Sequence, residues 1–312
     1  MNPLEIVSAD YSYSYPVGSN WAGPLPYFAE IREDAMEQLS ISLQQLERLR
    51  AYRWRTDPAR RISTELGALR LITELGFVLL MPIGKEELPS IHGATGGQWG
   101  VWWDWKQTLP ERKACYYAKI IRRRGTFISW EWFSAFYRAY ADPRPYWRQY
   151  REGLLDREEK QILDLLQEQG PLMTRELRLA FGPRSKQNTR RVKGVIIELQ
   201  NRFLITAAGG DTSGWSHHRW DLVERWAPPR YLLAAAKLSQ EEACTRLIKQ
   251  CVHNLVATTP ADLAWTFGWP KQQVNACVAN LISGGEVQTA TLPELETEVL
   301  VPSPWPGQRS KR

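Results

Sequence analysis

From residue 156 onward the sequence writes one structural unit twice, and this repeat limits the possible folds more than any other feature. In the first copy Asp156 stands where a helix cap belongs, and Ile162, Leu163, Leu165 and Leu166 give the next stretch an apolar face at helical spacing. Residues 174–180 read as a short helix closed by Gly182. Residues 185–201 read as a longer one with Val192, Val195, Ile196 and Leu199 on one side. Residues 203–207 and 218–223 have strand character and flank a turn containing Gly209, Gly210 and Gly214. The second copy starts at Ser239, with Glu241 and Glu242 in the first helical turn. It continues through residues 259–263 and 270–283 and ends in residues 286–290 and 298–301. Leu179, Ala180, Phe181 and Gly182 in the first copy answer Trp265, Thr266, Phe267 and Gly268 in the second. Three helices followed by a two-stranded hairpin is the order of a winged helix-turn-helix. The expected fold class is therefore mainly α with small β-wings (α+β), built as tandem winged helix-turn-helix domains.

The upstream half is less regular. Residues 1–39, with Tyr11, Tyr13, Tyr15 and Pro16, read as an aromatic arm. Residues 40–84 read as a first unit of the same general kind, with helices at 41–50 and 64–75, a stop at Gly76, and a strand at 77–81 ended by Pro82. Residues 85–150 form an insert that holds many of the fifteen tryptophans. In it, residues 110–124 are expected to be a helix ending on Arg122, Arg123 and Arg124, whose charges would suit a helix C-terminus. An aromatic block follows from Phe127 to Tyr140, then a linker at Asp142, Pro143 and Pro145. The second unit spans 151–230, the third 231–302, and a basic tail 303–312.

Charge points to a partner only through its placement. Lys and Arg exceed Asp and Glu by 40 to 34, a net +6, too small to be decisive over 312 residues. Around the third helix of the first copy, however, Arg184, Ser185, Lys186, Gln187, Asn188, Arg190, Arg191 and Lys193 lie together opposite an intact apolar face. In the position of a recognition helix such groups can neutralise phosphates and reach base edges of double-stranded DNA. A solvated basic face in a protein-docking module is the competing reading. His217 and Arg219 on the hairpin, and Lys271 and Gln272 on the third helix of the second copy, are the other candidate DNA contacts. Changing Arg190 and Arg191 to alanine would then flatten the salt dependence of binding.

Other chemistry is sparsely supported. Adjacent strand residues such as His217 and His218 face opposite ways, and no C-x-x-C pairs the four cysteines, so neither a metal nor a cofactor is expected. Cys115, Cys244, Cys251 and Cys277 are expected as buried thiols. Gly93 to Gly100 is not followed by Lys-Ser or Lys-Thr and is no phosphate-binding loop. The N-terminus lacks the pattern of a secretory signal, and the apolar run at 75–83 is too short to span a bilayer, so a soluble cytoplasmic protein is expected. Asp104, among Trp102, Trp103 and Trp105, could serve a pocket for an everted base, with the carboxylate assisting bond cleavage. A packed aromatic core with Asp104 at a turn is the plainer reading.

Several short stretches carry a family resemblance. Trp220, Asp221, Leu222, Val223, Glu224, Arg225, Trp226, Ala227 and Pro228 are similar to the Y-D-L-x-E-R-x-x-P that ends a winged helix in the DNA glycosylases of the AlkZ/YcaQ type. Thr258 to Leu263 and Leu281 to Val287 resemble the opening and closing of the next. The chain thus resembles a divergent, AlkZ-related branch of these alkylation and crosslink repair enzymes, over about residues 40 to 300. The resemblance implies tandem winged helices, a DNA partner and base excision. It also implies that the stretch Gly76 to Met81 matches a family segment, G-x-V-Q-x-Q or G-Y-V-Q-I-D, whose polar side chains position the attacking water. Leu79 and Met81 occupy those positions here, and neither can hydrogen-bond a water or accept its proton. The expected function is therefore DNA binding without the family's base excision. An active glycosylase using Asp104 and a protein-interaction or regulatory module are the alternatives.

Overall fold

Ser42 begins the described helices with a reciprocal cap: its hydroxyl accepts from the Gln45 amide while the Gln45 side chain accepts from the Ser42 amide, opening α1 (Leu43–Arg53). The computed structural model describes residues 39–83, 88–97, 100–211 and 217–306. The expected arm, apart from Leu39, lies outside the described residues, as do Trp99, the first hairpin's tip at 212–216 and the tail from 307. Helix α2 (Glu65–Leu75) is capped by Thr64 and stops at Gly76, whose φ is 77°. A Cβ at Gly76 would lie 2.5 Å from Trp132 Cδ1, so both the backbone turn and the close approach of that ring require glycine.

Strand β1 (Phe77–Leu79), the short helix α3 (Ile91–Ala94) and helix α4 (Trp105–Glu111) come next, followed by β2 (Tyr116–Lys119) and β3 (Gly125–Ile128). The sheet order is β1-β3-β2, antiparallel throughout, with Leu79 opposite Thr126 and Tyr116 opposite Ile128. This sheet joins residues from both sides of the boundary expected at residue 84.

The helix expected over 110–124 is not formed. Helix α4 ends at Glu111, Lys113 takes a φ of 51°, and the chain reverses into β2. Cys115, Tyr116, Tyr117 and Ala118 are all buried, and a short continuous apolar run of this kind is a strand covered on both faces, which periodicity alone does not separate from a helix. The three arginines lie not at a helix end but in the β2–β3 turn, where Arg122 and Arg123 have φ of 49° and 57°.

Helix α5 (Trp130–Tyr140) carries the aromatic block, and α6 (Tyr146–Arg151) follows a bend in which Arg144 pairs with both Asp142 and Glu152. Then come α7 (Arg157–Gln169), β4 (Leu172–Met173), α8 (Thr174–Ala180), α9 (Lys186–Asn201), β5 (Ile205–Asp211) and β6 (His217–Leu222). Their sheet is ordered β4-β6-β5. Two short helices, α10 (Val223–Trp226) and α11 (Pro229–Ala236), lead to the second copy: α12 (Gln240–Leu255), α13 (Pro260–Phe267), α14 (Lys271–Ser283), and the hairpin β7 (Val287–Leu292) and β8 (Thr297–Pro302). The fold is mainly helical with small antiparallel sheets, an α+β arrangement, as the sequence pattern implies.

The insert's aromatics form a hub. Tyr116 stacks on Phe203 at 5.1 Å between centroids and meets Phe133 and Trp226 edge-on, while Trp130 stacks on Trp226 and Tyr231. Phe136 meets Phe77 from α5, and Phe77 reaches Phe267. Rings from β1, α5, α9's end, α10 and α13 thus share one core. Polar clamps supplement it. The buried Asn254 amide donates to Leu75 O at 2.7 Å, satisfying a carbonyl at the end of α2, and Asn254 O accepts from Trp54 Nε1 at 2.7 Å. Arg50 caps the end of α12 by donating to Leu255 O and Ala257 O, both at 2.8 Å. The four cysteines are free and buried, and no described helix is long and apolar enough to cross a membrane.

Candidate nucleic-acid interface

The turn between α8 and α9 is built by local hydrogen bonding. Gly182 takes a φ of 118°, and Ser185 caps α9 by accepting from the Asn188 amide at 3.0 Å. The Asn188 side chain donates to Arg178 O at 3.0 Å and lies within hydrogen-bond distance of Gly182 O and Pro183 O. The buried Asn188 therefore fastens the turn while lining the cleft beside it.

This turn shapes a cleft of about 670 Å³. Arg175 and Arg178 on α8 line it from one side, with Arg184, Lys186 and Arg190 on the other, and among the described residues no carboxylate lines it. Convergent cations in a concavity focus positive potential outward, and the amides of the α9 N-terminus add to it. Lys186, Gln187, Arg190 and Lys193 are exposed, with Val192, Val195, Ile196 and Leu199 holding the opposite face in the core. Arg175 and Arg178 escape a reading that looks only along the third helix. Their three-residue spacing on α8 puts them on one face of that helix, and this was the available signal.

Two expected contacts are already engaged. Arg191 pairs with Glu158 of α7, which holds its guanidinium charge more firmly than usual, and Arg219 pairs with Glu111 of α4 at 3.0 Å. Lys271 and Gln272 are exposed at the start of α14. The side chain of His217 lies outside the described residues.

The positions matched to the family's water-positioning pair lie in or against the core. Leu79 is 1% exposed within β1, and Met81 packs half-buried against the same cluster. Leu79→Gln is expected to lower stability by about 2–4 kcal/mol, combining lost apolar burial with an amide that lacks partners. Urea denaturation checks this, and a loss under about 1 kcal/mol would show that the site tolerates a polar group.

Asp104 stands at the start of α4 without capping it through its side chain. Trp102 and Trp105 are buried, Trp102 meets Trp103 and His92 edge-on, and the Lys106 ammonium sits 3.9 Å from the centre of the Trp103 ring. Lys106 also donates to Trp103 O and Gln107 Oε1, and burial pulls its pKa down to about 8 against the opposing charge of Asp104. These rings are packed on one another and on neighbouring groups, as in a core.

These elements define an α+β protein in which repeated helix–helix–helix–hairpin units pack through a main core, with a smaller one under the β7–β8 hairpin, and present a basic cleft. Residues 62–268 match the family described as AlkZ related, and the chain belongs to that family. Among solved structures it is similar to the DNA glycosylase AlkZ of Streptomyces sahachiroi, at 12% identity and a TM-score of 0.53, over 85% of this chain and 71% of that one. At that identity the likeness is one of fold. No curated protein matches the chain.

Proposed function

We propose that the protein binds duplex DNA through the α8–α9 cleft and lacks the base excision carried out by DNA glycosylases of its fold. In this reading the units at 151–230 and 231–302 are winged helices, and residues 40–84 form a first such unit completed by strands of the 85–150 insert. The observation that carries it is the cleft itself, lined among the described residues by five cations and no carboxylate, with the N-terminal end of α9 beside it. Membership of the AlkZ-related family supports a repair-related DNA partner. The burial of Leu79 supports the loss of chemistry, because an alkyl chain in the core cannot orient a water.

The test is equilibrium binding to undamaged and alkylated duplexes across a salt series, with base release measured on the same samples. Log affinity is expected to fall against log salt with a slope of about −3 to −5, since each neutralised phosphate contributes about −0.9. No free base is expected. Binding that is absent or indifferent to salt would end the DNA reading, and release of a modified base would end the non-catalytic one.

A further inference from the structure

Outside the cleft, a second group of cations gathers where the β2–β3 turn meets the C-terminal half of α9. Lys119 ends β2 with its amide bonded to Gln200 of α9, Arg124 leads into β3, and Arg124 and Lys193 of α9 are both near enough to act on the charge of Lys119. Of the other charges at this junction, Arg123 pairs with Glu198 of α9 at 2.6 Å, and the Arg122 guanidinium lies 4.6 Å from the centre of the Trp265 ring. Among the described residues no carboxylate pairs with Lys119, Arg124 or Lys193. Like charges gathered without a counter-ion are costly in the free protein, and the cost disappears when an anion enters.

The backbone here is also held in an uncommon conformation. Arg122 and Arg123 are consecutive non-glycine residues at positive φ, a geometry that persists only where the surroundings over-determine it. They do so in this turn. Asn201 donates to Ile120 O at 2.9 Å, the Lys119 amide donates to Gln200 Oε1 at 3.1 Å, and Thr126 Oγ1 accepts from the Ile121 amide and donates to Arg124 O. The turn is thus fixed against α9 in a form that displays its arginines.

We infer that Lys119, Arg124 and Lys193 form a second phosphate site, which takes a phosphodiester of the same duplex that enters the cleft. The inference rests on the DNA-binding reading and assigns the far edge of that contact. Lys186, Arg190 and Lys193 follow one another at four- and three-residue spacing, so a single stripe of α9 connects the two sites. Lys186 and Lys193 are about 10 Å apart along the helix axis. A duplex backbone that follows this stripe meets the cleft and the trio in turn.

The trio makes binding depend on protons. Burial, with Lys193 and Arg124 adding to it, brings the Lys119 pKa down to about 8. A bound phosphate favours the ammonium, so affinity is full below about pH 8 and falls as Lys119 loses its proton in the free protein. Duplex affinity at constant ionic strength is therefore expected to drop about tenfold or more between pH 7 and pH 9.5. Lys119→Met should bind at pH 7 about as weakly as the wild type does at pH 9.5, with a flattened profile. Lys119→Arg should stay tight across the range, because guanidinium does not titrate there. Any decline left in Lys119→Met belongs to other groups, Lys106 among them. Melting temperatures of both variants confirm that they fold. A wild-type profile that is flat, or one that Lys119→Met reproduces, overturns this site and leaves the cleft reading standing. Absent binding at pH 7 overturns both.

Discussion

Replacing Phe203 by alanine is expected to cost about 3–5 kcal/mol, the largest single effect on stability foreseen here. The ring is 1% exposed, stacks on Tyr116 with planes 7° apart, and meets Phe133, Tyr137 and Tyr140 at centroid distances near 6 Å. Its removal leaves a void that the surrounding rings cannot close, because each is held by a further partner: Tyr116 by Trp226, Phe133 by Trp130. The backbone offers a second check. Phe203 has a φ of 56°, at which a Cβ is strained and glycine is not. At an ordinary site glycine is worse than alanine by about 0.5–1 kcal/mol, whereas here Phe203→Gly should be as stable as Phe203→Ala or more so. Urea denaturation of both variants decides it. A loss below about 1.5 kcal/mol for alanine would mean that the hub is not the junction of the units.

The repeat was legible because its signals are local. Caps at Asp156, Ser185, Ser239 and Thr259 act within one turn, and the apolar faces of α7, α9 and α12 follow helical period, so order and limits could be read from neighbouring residues. The insert was not legible for the opposite reason. Strand β3 pairs with β1 across 47 to 51 residues and with β2 on its other side, and the buried apolar run of β2 has no period that marks a strand. The tryptophans show the same limit. Their number marked the insert as unusual, but only the fold shows that Trp130 closes on Trp226 and Tyr231, a hundred residues downstream. For the site, charge along α9 was readable, while the engagement of Arg191 by Glu158 and of Arg219 by Glu111 depends on how distant elements pack.

That last point separates the arginines of α9 by experiment. The triple variant Arg184→Ala, Lys186→Ala, Arg190→Ala is expected to reduce the steepness of the salt dependence by about 2–3 units and to weaken duplex binding by about two to three decades near 0.1 M salt, at roughly 0.9 decade per lost phosphate contact. All three side chains are exposed and line the cleft, so the melting temperature should hold. Arg191 lies beside Arg190 in sequence and carries the same charge, but its guanidinium is committed to Glu158 and lies 5.8 Å from the centre of the Phe181 ring. To contact a phosphate it would have to leave that ion pair, and the gain would be offset by a carboxylate left beside the DNA. Arg191→Ala should therefore change the salt slope by less than about half a unit, with at most about 1 kcal/mol lost in stability from a largely exposed pair. Equal slopes for Arg190→Ala and Arg191→Ala would mean that charge density along α9 alone sets the affinity. A slope change confined to Arg190→Ala would mean that the cleft, which collects the cations of α8 and α9 around one concavity, is the feature that the phosphate backbone meets.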